Sequence, residues 1–275
     1  MMNDLVTIAR LEFACVLRQR WVQLFGAAFA LLALGAAHAA AALTELSGPE
    51  GFERTTVTLV PLVIALVPLA ALMLAAAGQV DEPGGEAFLF TQPVNRFTVV
   101  LGRWAGQSLA LGYALGAGLG AGAAYLAVLA GFAGIGRYLF FIAVAALLGA
   151  AFLALGAAIS LRVGRRNAAL ASAAFAWVLF VLVYDAAALG AAGWLTGRIG
   201  ARVLCISVLG NPADLARVLT LSVAGTPHVL GAAGEAWNRF LGGPVPATVI
   251  ALGGLMAWTG IALLAARRFV RGREL

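Results

Sequence analysis

Apolar residues fill this chain in long unbroken runs. Six of them reach the roughly 20 residues that a helix needs to cross a bilayer: 21–43, 57–78, 107–129, 138–161, 168–189 and 247–266. Residues 3–20 read differently. On a helical wheel Leu5, Val6, Ala9, Phe13, Val16 and Leu17 share one face, and Asp4, Thr7, Arg10 and Arg18 share the other. That pattern predicts an amphipathic helix lying in the membrane interface before the first span. It serves as a topology anchor or as a direct partner contact. The expected fold is all-α: one polytopic membrane domain over 1–275 with six transmembrane helices.

Two spans carry marks of their own. Pro61 and Pro68, seven residues apart in the second, each remove a backbone donor and favour a kink, moving or static. The third is rich in Gly, several of them four residues apart, from Gly102 to Gly122. Such spacing lets helix backbones approach closely, within one chain or across two copies.

The connections differ as sharply as the spans. Residues 79–106 hold Asp81, Glu82, Gly84, Gly85, Glu86, Pro93, Arg96 and Arg103 around the apolar Phe88–Leu89–Phe90. Acids come first and bases last, which suits a short helix with its dipole complemented at both ends. Residues 190–246 are apolar for a solvent loop. Within them Asn211-Pro212-Ala213-Asp214 reads as a helix start, with Asn at the N-cap and Pro at the first helical position. The helix that follows is expected to dip into the outer leaflet or to cap the bundle.

Composition agrees with lipid as the main solvent. Of 275 residues 63% are apolar and 11% charged, against about 25% charged in soluble domains. Mean hydropathy is +0.98. The 18 basic residues are all Arg. A phosphate-binding P-loop needs a Lys, so any use of ATP must come from a partner. The net charge of +6 does not signal nucleic acid, because most Arg residues sit in short clusters flanking the apolar runs. With the N-terminus inside, twelve Arg fall on the cytoplasmic side and six outside, which predicts both termini in the cytoplasm. No cleavable signal peptide is expected: the first 20 residues are too charged and the next apolar run too long.

Catalytic and metal chemistry is not visible. Cys15 and Cys205 fall on opposite sides of the membrane in this topology, and with His38 and His228 they form no metal-binding spacing. No H-E-x-x-H or G-x-S-x-G occurs. Asp185 is the one acid deep in an apolar run. It reads either as an ion relay or substrate contact, or as a hydrogen bond for helix packing or gating. A secondary transporter and a non-transporting scaffold therefore stay open as alternatives.

The residues also carry a resemblance. Ile8-Ala9-Arg10…Glu12…Arg18-Gln19-Arg20-Trp21 looks like the elbow helix of ABC-2-type transporter permeases, the type V exporter-like architecture. Asp81-Glu82-Pro83-Gly84-Gly85…Thr91-Gln92-Pro93-Val94-Asn95-Arg96…Gly102-Arg103 resembles that family's cytoplasmic coupling loop. Glu86 stands where the family commonly has Thr, and Arg103 where it has Lys. More narrowly, the run 177–185, the stretch 209–217, Pro244-Val245-Pro246 and the closing Arg267-Arg268 resemble NosY-type permeases of nitrous-oxide-reductase maturation transporters. The resemblance implies a homodimer, a pair of cytoplasmic ATPases carrying ATP and Mg2+, a periplasmic β-helix partner and an inner-membrane location. It assigns ATPase coupling to Arg10, Glu12, Arg18, Glu82, Gly85, Pro93, Arg96 and Arg103. It assigns an outer gate or partner contact to Asn211, Pro212, Asp214 and Arg217.

Overall fold

The computed structural model describes residues 2–43, 49–78, 95–194, 198–224, 237–238 and 240–271, and among these every regular element is helical. The order is α1 (Met2–Leu17), α2 (Arg20–Leu43), α3 (Pro49–Gly78), α4 (Arg96–Ala130), α5 (Ile135–Val163), α6 (Arg166–Val178), a π-helical turn (Leu179–Val183), α7 (Tyr184–Trp194), α8 (Arg198–Leu209), α9 (Pro212–Ala224) and α10 (Pro244–Arg271). Six segments are long and apolar enough to span: Arg20–Ala42, Glu50–Gly78, Arg96–Ala130, Ile135–Val163, Arg166–Ala191 and Pro244–Val270. The chain is an all-helical membrane protein, as its apolar runs require.

Burial divides the spans into two classes. α3 and α5 are mostly enclosed and pack against each other most extensively, while α2, α6–α7 and α10 turn most of their surface outward. The core runs along the α3–α5 seam, with Leu59, Val67, Leu72, Leu148 and Phe152 excluded from solvent. Phe52, Tyr138 and Phe141 stack edge to face at one end of it. Halfway along, Phe152, Phe180 and Trp258 form a second edge-to-face chain linking α5, the π turn and α10. Trp177 donates its indole N–H to the carbonyl of Ala65 at 2.7 Å, in the turn before Pro68. Proline disrupts the hydrogen bonding of that turn, and a neighbouring helix supplies a donor, as lipid-embedded backbone demands.

The Gly-rich face of α4 packs within the chain. A Cβ on Gly118 would meet the carbonyl oxygen of Gly26 at 2.7 Å, and one on Gly122 would meet the Ala33 Cβ at 2.9 Å, both on α2. Gly102 and Gly106 make the same close approach to α1. Gly116 and Gly120, on another face of α4, have nothing within 4 Å.

Two sequence expectations need correction. α4 begins at Arg96, with Asn95 as its N-cap donating no charge but accepting the Phe97 N–H at 2.9 Å. Residues 96–106 are therefore the first three turns of a 35-residue helix and not part of a loop. At a rise of about 1.5 Å per residue α4 is ~50 Å long, against a hydrocarbon core of ~30 Å. Its polar turns stay helical because α1 covers them. Arg96 then stands at the positive end of a helix dipole, so the basic-at-the-C-terminus argument fails for it. Second, the fifth span is interrupted by the π turn at Leu179–Val183.

Candidate functional site

Polar groups gather at two places, one where the elbow helix meets the bundle and one deep within it. The first lies where α1, α3 and α4 meet. α1 ends at Leu17, and a tight corner leads into α2: Gln19 N–H donates to Val16 O at 3.0 Å, and Gln23 Nε2 to Leu17 O at 3.0 Å. The apolar face of α1 lies along α4, and the two backbones are brought together by glycine. A Cβ on Gly102 would meet Ile8 Cγ2 at 2.7 Å, and one on Gly106 would meet the Ala9 carbonyl at 2.5 Å. Gly78, the last residue of α3, has its own open side filled by the Gln107 amide.

Two hydrogen bonds tie the three helices. Gln107 Nε2 donates to Glu12 Oε1 at 2.8 Å, and Arg103 Nη1 donates to the Gly78 carbonyl at 2.9 Å. Gly78 and Asn95 are the two described residues flanking 79–94: Gly78 is bonded within the knot, and Asn95 caps α4, the helix that carries Arg103 and Gln107. Glu12 and Arg103 thus sit in the knot. Arg10 lies exposed on α1 beside an apolar groove of about 620 Å³ lined by Leu5, Phe13 and Tyr113. Arg18 occupies the exposed corner between α1 and α2, and Arg96 opens α4. Glu82, Gly85 and Pro93 lie outside the described residues.

The second place is the turn between α8 and α9. α8 runs back along α7, and α9 returns beside α3, α5 and α10. Their connection at Leu209–Gly210–Asn211 is level with the middle of two spans. Trp258, the fifteenth residue of α10, donates its indole N–H to Leu209 O at 3.0 Å. Asn211 Nδ2 donates to the carbonyl of Phe180, inside the π turn, at 2.8 Å. Tyr184 donates its hydroxyl to Ser207 O at 2.7 Å, and a Cβ on Gly210 would run into that hydroxyl. α8 and α9 are a re-entrant hairpin, with its tip seated in the defect of the fifth span. A π turn leaves a carbonyl without its usual i→i−4 partner, and the Asn211 amide serves it.

The predicted helix start is present: Asn211 Oδ1 accepts the Ala213 N–H at 3.0 Å, and Pro212 is the first helical residue. Asn211 Nδ2 also reaches Asp214 Oδ2 at 3.1 Å. Arg217 then joins two acids. Its Nη1 meets Asp214 Oδ1 and its Nη2 meets Asp185 Oδ2, both at 2.8 Å. The structure therefore brings Asp185 and the four outer-gate residues, two separate readings from sequence, into one cluster. Ten of the thirteen residues of α9 are buried, including Asn211's neighbour Asp214.

Several contacts had no sequence signal of their own. The Gln107–Glu12 pair is 95 residues apart. Arg137 at the start of α5 pairs with Glu53 of α3 and reaches the Ala224 carbonyl at the end of α9, 3.4 Å away. His38 bonds the Tyr125 hydroxyl at 2.9 Å, linking α2 and α4. His228 lies outside the described residues. Among the described residues no group of three or more His, Cys, Asp or Glu is placed to hold a metal ion.

Known proteins resemble this chain over its length. The chain is 34% identical over 279 residues to a protein of Stutzerimonas stutzeri described as a probable ABC transporter permease protein NosY, covering 99% of each chain. It is 35% identical over 277 residues to the protein of the same description from Pseudomonas aeruginosa, covering 98% of each. Residues 6–269 match the model of the ABC-2 family transporter proteins. Elbow helix, six spans and full-length likeness agree, and the chain belongs to the ABC-2 family as an ABC transporter permease of the multi-pass membrane type.

Proposed function

We propose that this permease works in the bacterial inner membrane as the force-transmitting subunit of an ATP-driven complex serving maturation of the copper centre of nitrous-oxide reductase. Both termini and the α1–α3–α4 knot face the cytoplasm, in line with the twelve-to-six Arg asymmetry. A separate ATPase, carrying ATP and Mg2+, grips the segment 79–94. A second copy of the chain completes the pore, and a periplasmic β-helix protein receives the output at the α8–α9 side.

One observation carries the reading: the segment 79–94 leaves from Gly78 and enters α4 at Asn95, and α4 is bonded both to Gly78 and to the elbow helix. A pull on 79–94 moves Gly78 and Asn95, and through Arg103–Gly78 and Gln107–Glu12 it moves α1, α3 and α4 as one body. α3 also packs against α9, so the same displacement reaches the hairpin tip. Two conformations biased by ATP are sufficient. The narrower assignment rests on the likeness, at 98% coverage or more, to two proteins described as NosY permeases.

Co-purification with the ATPase tests the grip. Glu82→Ala combined with Arg96→Ala should strip the ATPase from the detergent-extracted complex and abolish restoration of a copper-loaded reductase in a permease-deleted strain. Unchanged recovery of both would discard the coupling role. A normal copper centre in the deleted strain would discard the maturation role alone.

A further inference from the structure

α1 and α2 follow one another along α4, with a corner at 18–19 between them. Glycine brings the backbones into contact at both ends of this ridge, Gly102 and Gly106 against α1, and Gly118 and Gly122 against α2. Between these contacts Leu109 and Tyr113 of α4 stay 62% and 63% exposed. Two apolar grooves occupy the stretch. One of about 620 Å³ lies between α1 and α4, and one of about 480 Å³ lies between the corner, α2 and α4. Tyr113 lines both, and the Phe13 ring meets it edge to face at 6.4 Å. The grooves therefore adjoin, and together they form one trough along α4.

The trough has a charged mouth and an apolar body. Arg10 is the only charged residue that lines it. Arg10 is exposed, and among the described residues no acid pairs with it. Glu12 on the same helix is taken up by Gln107. Arg18 and Arg20 follow, also exposed, at the corner. The carbonyl of Ala9, next to Arg10, approaches Gly106. From Gly106 to Gly118 α4 rises about 18 Å, against about 15 Å for one leaflet's share of the hydrocarbon core.

In lipid no hydrophobic gain comes from covering such a trough, so contact and charge select what fills it. An acyl chain laid there touches α1, α2 and α4 together, whereas a chain on a convex helix face touches one. A helix of a second copy would also bring apolar contact. The outward-turned spans have no anion to offer Arg10: α2 and α10 carry no acid, and α6–α7 carries only Asp185, which is spent on Arg217. A phospholipid brings both the chain and the anion.

We propose that this trough binds one anionic phospholipid from the leaflet on the side of α1, with its phosphate on Arg10 and one acyl chain laid past Tyr113 to Gly118. The unpaired positive charge at the mouth favours a headgroup without a compensating ammonium, as in phosphatidylglycerol rather than phosphatidylcholine. The bound lipid fills the open side of the α1–α4 contact and becomes part of the packing of the elbow helix. The inference concerns α1, α2 and α4 alone, and it stands whether or not an ATPase drives the chain.

Native mass spectrometry of the full-length permease, released from detergent and titrated with dioleoyl phosphatidylglycerol or dioleoyl phosphatidylcholine, tests it. The first phosphatidylglycerol should bind about fivefold more tightly than the first phosphatidylcholine, the effect of one basic residue beside an anionic headgroup. Arg10→Gln should erase that preference and leave phosphatidylcholine binding unchanged. Ala117→Phe, at an exposed position lining the trough, should weaken both lipids alike. Inorganic phosphate should displace neither. Equal binding of the two lipids by the wild type, a preference that survives Arg10→Gln, or lipid binding untouched by Ala117→Phe would overturn the proposal. So would displacement by phosphate, which would mean an anion site without a chain. A monomer-to-dimer ratio that shifts in Ala117→Phe while lipid binding holds would overturn it in favour of a second copy.

Discussion

The knot at α1–α3–α4 and the tip of the α8–α9 hairpin do the same structural work by opposite means. In the knot, helices meet backbone to backbone. Gly78, Gly102 and Gly106 remove side chains at the contact, and its two charged groups meet neutral partners, Glu12 the Gln107 amide and Arg103 the Gly78 carbonyl. At the tip, the contact is electrostatic: two acids, one guanidinium and an amide fill a defect in a spanning helix. Steric contact is short-ranged and insensitive to solution conditions, so it transmits displacement faithfully. Ionic contact in a partly enclosed site depends on protonation and can be released. A transmitting contact beside 79–94 and a releasable one deep in the bundle suit the force-transmitting role proposed above.

The comparison breaks most sharply at Gly106. Gly106→Val would drive a side chain into the Ala9 carbonyl and the Phe13 N–H, which are backbone atoms that cannot step aside. Overpacking of this kind costs about 3 kcal/mol, and the apparent Tm in detergent should fall accordingly, with α1 the first element to become protease-sensitive. At the tip, Arg217→Ala leaves Asp185 and Asp214 facing each other. The cost of an uncompensated buried pair, discounted for the partial exposure of Arg217 and Asp185, is about 2 kcal/mol. Thermal unfolding should show a loss that is largely relieved by adding Asp214→Asn, whereas the Gly106→Val loss should not respond to Asp214→Asn. An equal response to Asp214→Asn in both variants would erase the distinction between the two contacts.

Gln107→Leu sharpens the comparison from the knot's side. It removes the donor to Glu12 at about 1 kcal/mol and leaves the glycine contacts in place. ATPase binding should persist while ATP-dependent restoration of the copper centre falls, and a parallel loss of both would place Gln107 in the ATPase contact itself. The smallest effect is expected at Gly120→Ala. That position touches nothing within 4 Å, so the helix should gain about 0.5 kcal/mol from propensity alone. A loss there would mean that a second copy or another partner covers this face.

Much of this was legible from residues alone, and the reason is the solvent. Apolar runs of membrane length admit only the helix, so six spans follow from hydropathy. The start of α9 was legible because Asn211 and Pro212 act locally, through one N-cap bond and one missing N–H. Features that depend on distant pairing were not. Residues 96–106 look like a loop because Arg96, Arg103 and Gly102 are poor span material; they are helical because α1 shelters them. The Asp185–Arg217 pair spans 32 residues of sequence and closes only when the hairpin folds back. The π turn at Leu179-Phe180-Val181-Leu182-Val183 contains neither Gly nor Pro, so nothing in its composition announces a defect. An acid in a span and an Arg in an apolar connection should have been matched to each other, since each is costly without the other.

The walls around α9 also set an order of assembly. Two of them, α3 and α5, are synthesised before the hairpin, and the third, α10, emerges twenty residues after α9 ends. While the ribosome is still making 225–243, α9 rests in a slot with one side open to lipid. The indole of Trp258, which takes the Leu209 carbonyl, arrives only with α10. The last helix is thus the clasp of the nascent bundle, and a polypeptide halted before Pro244 would carry a complete set of tip charges with nothing to shut them in.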